Sequence, residues 1–175
     1  MVKLFLADGF EEIEAITPLD ILRRAGVKVV TVGVGGRRIT GAHGVVVAAD
    51  FAEGEEPAGK TELVVLPGGM PGAKNLAASS HVRAAIKAAL EDGSYIGAIC
   101  AAPGVVLAGT GALAGRRWTC FPGFENGEGK YTGEDCVADG RLITANGPGA
   151  AVKFACALVK AVAPEKTDVC RDFAK

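Results

Sequence analysis

No charge of either sign dominates this 175-residue chain: 19 Lys and Arg stand against 20 Asp and Glu, interspersed, for a net charge of −1. That balance argues against a nucleic-acid or membrane surface as the main partner. No apolar run approaches the ~20 residues of a membrane span. A signal peptide is not expected, because Leu4-Phe5-Leu6-Ala7 is short and soon followed by Asp8, Glu11, Glu12 and Glu14. The five cysteines, at 100, 120, 136, 156 and 170, include no CxxC pair. Neither a disulfide framework nor a zinc site is expected, and a reducing cytoplasm is the natural compartment. Only two histidines occur, His43 and His81, and Ala101 rather than histidine follows Cys100. A Cys-His-acid triad therefore has no obvious members. Repeats, low-complexity tracts and linkers are missing too, so residues 1–175 are expected to form one domain.

What is present is a regular alternation of strand-like and helix-like segments, with 49% apolar residues to fill a two-sided core. This pattern predicts an α/β domain with a mainly parallel sheet. Strands are expected over 2–7, 27–34, 45–49, 63–66 and 95–99, and an Asp139-Gly140 hairpin turn splits 137–144 into two more. Ile13, Ile16, Leu19 and Leu22 give residues 11–24 a helical spacing, stopped by Gly26. Pro18 inside that stretch predicts a kink or a late start. Residues 33–44 are glycine-rich and read as a turn or irregular hairpin. Helices are expected from Ser79 or Ser80 to 91, over 101–108, and over 149–162, the last closed by Pro164. Residues 118–121 read as extended, and 165–175 as a short helix or tail.

Cys100 is the most informative residue. It sits where the apolar run Tyr95-Ile96-Gly97-Ala98-Ile99 ends and Ala101-Ala102-Pro103-Gly104 begins. A side chain on so sharp a strand-to-helix turn projects from the carboxyl edge of the sheet, where amide groups and a helix N-terminus favour a thiolate. Two other glycine-rich segments follow apolar runs, Pro67-Gly68-Gly69 and Asn146-Gly147-Pro148-Gly149. Loops at the carboxyl ends of parallel strands gather at one crevice. The amides of Gly68 and Gly69 are candidate donors to an oxyanion there, beyond serving as a tight turn. Glu11, Glu12 and Glu14 suit a helix start electrostatically. If Glu14 instead faces inward beside the cysteine, burial raises its pKa and makes it a proton shuttle. Periodicity does not settle which way it faces. Cys120 is a candidate resolving thiol if it returns to the crevice. Cys156 reads as core, Cys136 as a strand residue and Cys170 as tail. His81 reads as solvated, and His43 as a surface residue unless its turn faces the site.

The segments Gly9-Phe10-Glu11-Glu12-Ile13-Glu14, Arg23-Arg24-Ala25-Gly26, Val64-Val65-Leu66-Pro67-Gly68-Gly69, Gly72-Ala73-Lys74-Asn75-Leu76, Ala98-Ile99-Cys100-Ala101-Ala102-Pro103 and Asn146-Gly147-Pro148-Gly149, in this order, resemble the ThiJ/PfpI superfamily and its protein-deglycase branch. The resemblance covers nearly the whole chain. It implies a flavodoxin-like three-layer sandwich and a homodimer built partly on the helix around Glu14. It also implies that Glu14 carries a protonated carboxyl against Cys100, and that the amides of Gly69 and Ala101 line the anion site. Two positions depart from animal members: Phe121 stands where they carry a histidine, and His43 where they carry an arginine. The C-terminal helix also looks shortened.

The function that the resemblance implies is a glyoxalase or deglycase needing no cofactor and no metal. It would act on methylglyoxal, and on its thiol and amine adducts, glycated protein included. Cys100 would attack the aldehyde, Glu14 would move a proton between adjacent carbons, and water would release lactate. The alternative is a redox sensor or redox-activated chaperone working through oxidation of Cys100. Peptidase or amidotransferase chemistry is disfavoured by Ala101 and the missing histidine.

Overall fold

The computed structural model describes residues 1–173. Ala174 and Lys175, the end of the tail expected over 165–175, lie outside the described residues. In chain order the elements are β1 (Val2–Leu6), α1 (Glu12–Arg24), β2 (Val29–Gly33), β3 (Arg38–Thr40), β4 (Val46–Ala48), β5 (Phe51–Ala52), β6 (Leu63–Leu66), α2 (Gly72–Ala78), α3 (Ser80–Asp92) and β7 (Tyr95–Ile99). A π-helical turn (Pro103–Leu107) follows, then β8 (Arg117–Trp118), β9 (Lys130–Tyr131), β10 (Cys136–Asp139), β11 (Leu142–Ala145), α4 (Ala151–Val162) and a 3-10 segment (Pro164–Phe173).

Seven strands form the central sheet in the order β10-β11-β7-β6-β1-β2-β5. Every pairing is parallel except the β10–β11 hairpin, which turns at Asp139-Gly140 as the sequence predicts. Alternate residues of each strand enter opposite layers, as the period of two requires. Phe5, Val64 and Leu66 pack with Leu76, Ile86 and Trp118 on one side. Leu4, Leu6 and Val65 pack with Ile21, Leu22, Phe154 and Leu158 of α1 and α4 on the other. Each large apolar side chain buried this way contributes about 1.5–3 kcal/mol relative to exposure. No helix among the described residues is long and apolar enough to cross a membrane.

Three expectations need correction. Helix α1 runs unbroken through Pro18, and its buried face is Glu14, Ala15, Pro18, Ile21 and Leu22, whereas Ile13 and Ile16 point outward at 53% and 38% exposure. Pro18 has no N–H for the carbonyl four residues back, which is that of Glu14. The helix expected over 101–108 is only the five-residue π-helical turn. Finally, Cys156 and Cys170 are joined by a disulfide, so one on the core helix and one in the tail are partners. Their pairing depends on the 3-10 segment folding back over α4, which cysteine spacing does not encode.

Candidate active site

The sheet's connections diverge between β1 and β6, because β1 leads to β2 on one side and β6 to β7 on the other. Loops leaving such neighbours open a crevice at the carboxyl edge. The loop after β1 is stitched across it: Glu11 N–H donates to the Gly68 carbonyl at 3.0 Å, and Gly72 N–H to the Gly9 carbonyl at 3.2 Å. Glu11 caps α1, its Oε2 accepting the Glu14 N–H at 2.8 Å. This fixes the first turn and aims Glu14 inward, where it is fully buried.

Cys100 closes β7. Its φ is +63°, and it is the one non-glycine residue with positive φ among those described. A left-handed backbone costs an L-residue roughly 1–2 kcal/mol, so the turn persists because neighbours hold it. Cys100 N–H donates to the Ala145 carbonyl at 2.9 Å, and Phe121 N–H donates to the Cys100 carbonyl at 2.9 Å. The elbow inferred from sequence is thus pinned from both flanks, and its sulfur faces Glu14 and the amides of Gly69 and Ala101.

Gly68 and Gly69 are tied to this arrangement by space. A Cβ on Gly68 would lie 2.6 Å from the Cys100 Cβ and 2.7 Å from Glu14 Oε2. Gly69 has φ +86°, and a Cβ there would lie 2.6 Å from the Gly9 carbonyl oxygen. Their roles differ. The Gly69 and Ala101 amides lie on the sulfur's side of the turn and favour its charged form. Gly68 N–H instead donates to Glu14 Oε2 at 3.0 Å. It holds the carboxyl, which corrects its expected place among the oxyanion donors.

The electrostatics centre on one coupled pair. Burial pushes the Glu14 carboxyl up to about 7, helped by the charge of Glu11 and opposed by its bonds to Cys100 and Gly68. Burial also pushes the Cys100 thiol up, to about 12, with the Glu14 charge and hydrogen bond adding to it and the Gly69 and Ala101 amides opposing. Desolvation and an ionised Glu14 thus work against the thiolate that the amides favour. The balance changes when Glu14 carries the proton, because its charge then no longer opposes the sulfur's. Glu14 Oε1 is buried without a hydrogen-bond partner, a position in which a protonated oxygen costs less than a charged one. Two N–H groups and one O–H then all stabilise a thiolate. Two ionisable groups this strongly coupled titrate as a pair.

The other candidates fall outside this centre. Cys120 is fully buried against the Trp118 layer, free, and pushed up to about 12 by burial and the Glu125 charge. It is a core thiol, which corrects its expected role as resolving partner. His43 is exposed; its Nδ1 pairs with Glu12 Oε2 at 2.8 Å and its N–H donates to Glu12 Oε1 at 2.7 Å. That pairing raises His43's pKa and directs it to Glu12. Phe121 does border the elbow: its ring is 43% exposed and meets Phe124 edge-on at 6.5 Å. The ring also lies close to Gly147, bringing the third glycine-rich segment to the crevice. Glu11, Glu12 and His43 place ligand-type atoms within 4.8 Å of one another, but Glu11 is occupied as the cap and Glu12 with His43. Glu11, which the sequence marks only as one of three helix-start carboxylates, is the cap that sets the direction of Glu14. The acid-x-x-Glu spacing of Glu11 and Glu14 is a helix-start signal that would have found it.

The model of the DJ-1/PfpI family matches residues 1–161. The chain belongs to the DJ-1/PfpI family. It is 36% identical over 165 residues to protein dj-1beta of Drosophila melanogaster, covering 91% of this chain and 88% of that one. It is 35% identical over 162 residues to the glutathione-independent glyoxalase DJR-1.2 of Caenorhabditis elegans (90% and 86% covered). The glutathione-independent glyoxalase DJ-1 of Schizosaccharomyces pombe is 34% identical over 178 residues (93% and 92%). The crystal structure of Drosophila melanogaster DJ-1beta superposes with a TM-score of 0.90 at 34% identity, over 98% of this chain and 96% of the other. The sandwich is accordingly the flavodoxin-like fold of DJ-1 proteins.

Proposed function

We propose that this DJ-1/PfpI protein is a glutathione-independent glyoxalase and deglycase that converts methylglyoxal, free or as thiol and amine adducts, to lactate. The observation that carries this reading is the buried Glu14 carboxyl facing the Cys100 sulfur on its left-handed turn. The Cys100 thiolate adds to the aldehyde carbon, and the pair's proton passes to the new alkoxide, giving a hemithioacetal. Glu14, now a carboxylate, removes the hydrogen on that carbon to give an enediol and returns it to the neighbouring carbon, while the hydroxyl proton passes from the first oxygen to the second, leaving a lactoyl thioester. The amides of Gly69 and Ala101 stabilise the oxygen charge that develops. Water hydrolyses the thioester to lactate and regenerates the thiol, so no redox partner enters. The test is lactate formation from methylglyoxal. Cys100→Ala should abolish it and Glu14→Gln should stop it after adduct formation; turnover by Cys100→Ala at the parent rate overturns the reading.

One observation favours redox sensing through the same sulfur. A carboxyl neutral up to about pH 7 beside Cys100 is a donor for the oxygens of an oxidised cysteine, and the thiolate passes to sulfenate as peroxide leaves as water. Limiting peroxide followed by intact mass should oxidise Cys100 before any other cysteine. For assembly, Ile13, Ile16, Val45 and Val46 are exposed apolar residues on α1 and beside it on the β3–β4 hairpin. We assign this face to a homodimer contact, which sedimentation of an Ile13→Glu, Ile16→Glu variant tests by producing monomers.

A further inference from the structure

The 3-10 segment Pro164–Phe173 contains no fully buried residue. Its hydrogen bonds are local: Lys166 N–H to the Ala163 carbonyl at 2.9 Å and Thr167 Oγ1 to the Pro164 carbonyl at 3.3 Å. Val169 and Phe173 rest partly buried on the α1–α4 layer, and the Arg24 guanidinium lies 5.7 Å over the Phe173 ring. Against these weak contacts stands one covalent link, Cys156 of α4 to Cys170, with Cα atoms 5.8 Å apart. That separation is one a disulfide bridges without backbone movement. Both cysteines are partly exposed. A cavity of about 490 Å³ opens beside the bond, with Asp135, Lys153 and Phe173 on its walls. A small thiol or disulfide can therefore reach the sulfurs, and accessible disulfides are the exchangeable ones.

We propose that Cys156 and Cys170 are a second redox site, a dithiol–disulfide couple that exchanges with low-molecular-weight disulfides and clasps the C-terminal segment to α4. One thiolate attacks a sulfur of the external disulfide, releasing one small thiol and leaving a mixed disulfide. The second thiolate then displaces the other small thiol. The protein loses two electrons and two protons, and the small disulfide gains both as two thiols. Reversal frees the segment, which then holds only by partial packing and the Arg24–Phe173 contact. The couple uses neither Cys100 nor Glu14, so it stands apart from the proposed activity.

The experiment takes the full chain carrying Cys100→Ala through glutathione buffers from fully reduced to fully oxidised. Free thiols are trapped with iodoacetamide and mapped by peptide mass, and parallel samples receive brief trypsin. Cys156 and Cys170 should lose their label together in one transition while Cys136 keeps its own. Cleavage after the exposed Lys166 and Arg171 should be at least tenfold faster on the reduced side. In a Cys156→Ser, Cys170→Ser variant it should be fast in every buffer. The proposal is overturned if the two cysteines stay labelled at every ratio, if either pairs with Cys136, if the bond resists every ratio, or if its formation leaves cleavage unchanged.

Discussion

Replacing Glu14 by Gln should change how stability depends on pH. Glutamine keeps an oxygen for the Gly68 N–H and cannot ionise. In the native chain the Glu14 carboxyl moves from an ordinary 4.5 to about 7. Between those values the folded state holds a proton that the unfolded chain has released. Stability therefore falls as pH climbs from 4.5 to 7, is unaffected by this group below that window, and levels off above it. The displacement corresponds to roughly 3 kcal/mol at pH 8. Because linkage counts protons, the result does not depend on whether carboxyl or sulfur holds the one that remains. Urea denaturation of the parent and Glu14→Gln from pH 4.5 to 8, at one protein concentration, checks it. The variant should gain roughly 3 kcal/mol on the parent across the range. A stability difference constant with pH would refute the raised carboxyl.

Other consequences follow from the same geometry. Gly68→Ala forces a methyl against Cys100 and Glu14; it should cost about 1–3 kcal/mol and lower lactate formation on the order of 100-fold, read by denaturation and turnover. Because Cys100 holds a left-handed backbone, Cys100→Gly should be more stable than Cys100→Ala by about 1 kcal/mol, while both are inactive. Cys120→Ala should lose about 1 kcal/mol to a small cavity and retain turnover. Peroxide treatment of the parent should give no Cys100–Cys120 disulfide, which non-reducing peptide mapping checks.

Local signals were legible wherever a single element answers to them. The run Tyr95–Ile99 is a strand with the expected ends, because unbroken apolar residues bounded by polar and small ones have few other uses. Asp139-Gly140 carries its turn chemistry in two residues. The crevice was legible as three glycine-rich strand ends, two of which flank the sulfur or its carboxyl partner directly. Glu14's inward direction was not, because apolar periodicity favours Ile13 and Ile16. Packing of α1 on α4 selects the small Ala15 and Pro18 instead, and turns both isoleucines out. The sulfur's full surroundings are not legible for a related reason: a strand-end cysteine shows its amide neighbours, whereas the depth of burial and an acid contributed from the first turn of α1 belong to the assembled fold. The Cys156–Cys170 bond likewise depends on where the segment after Pro164 returns.

Cys100 and Glu14 are expected to titrate as one unit. The most direct measurement is the iodoacetamide alkylation rate of Cys100 against pH, by peptide mass, in the parent and in Glu14→Gln. The rate should climb through an inflection near pH 7, where the pair loses its first proton, and this step should vanish in the variant. A single inflection at the ordinary free-thiol value of about 8.5, identical in both proteins, would contradict the account.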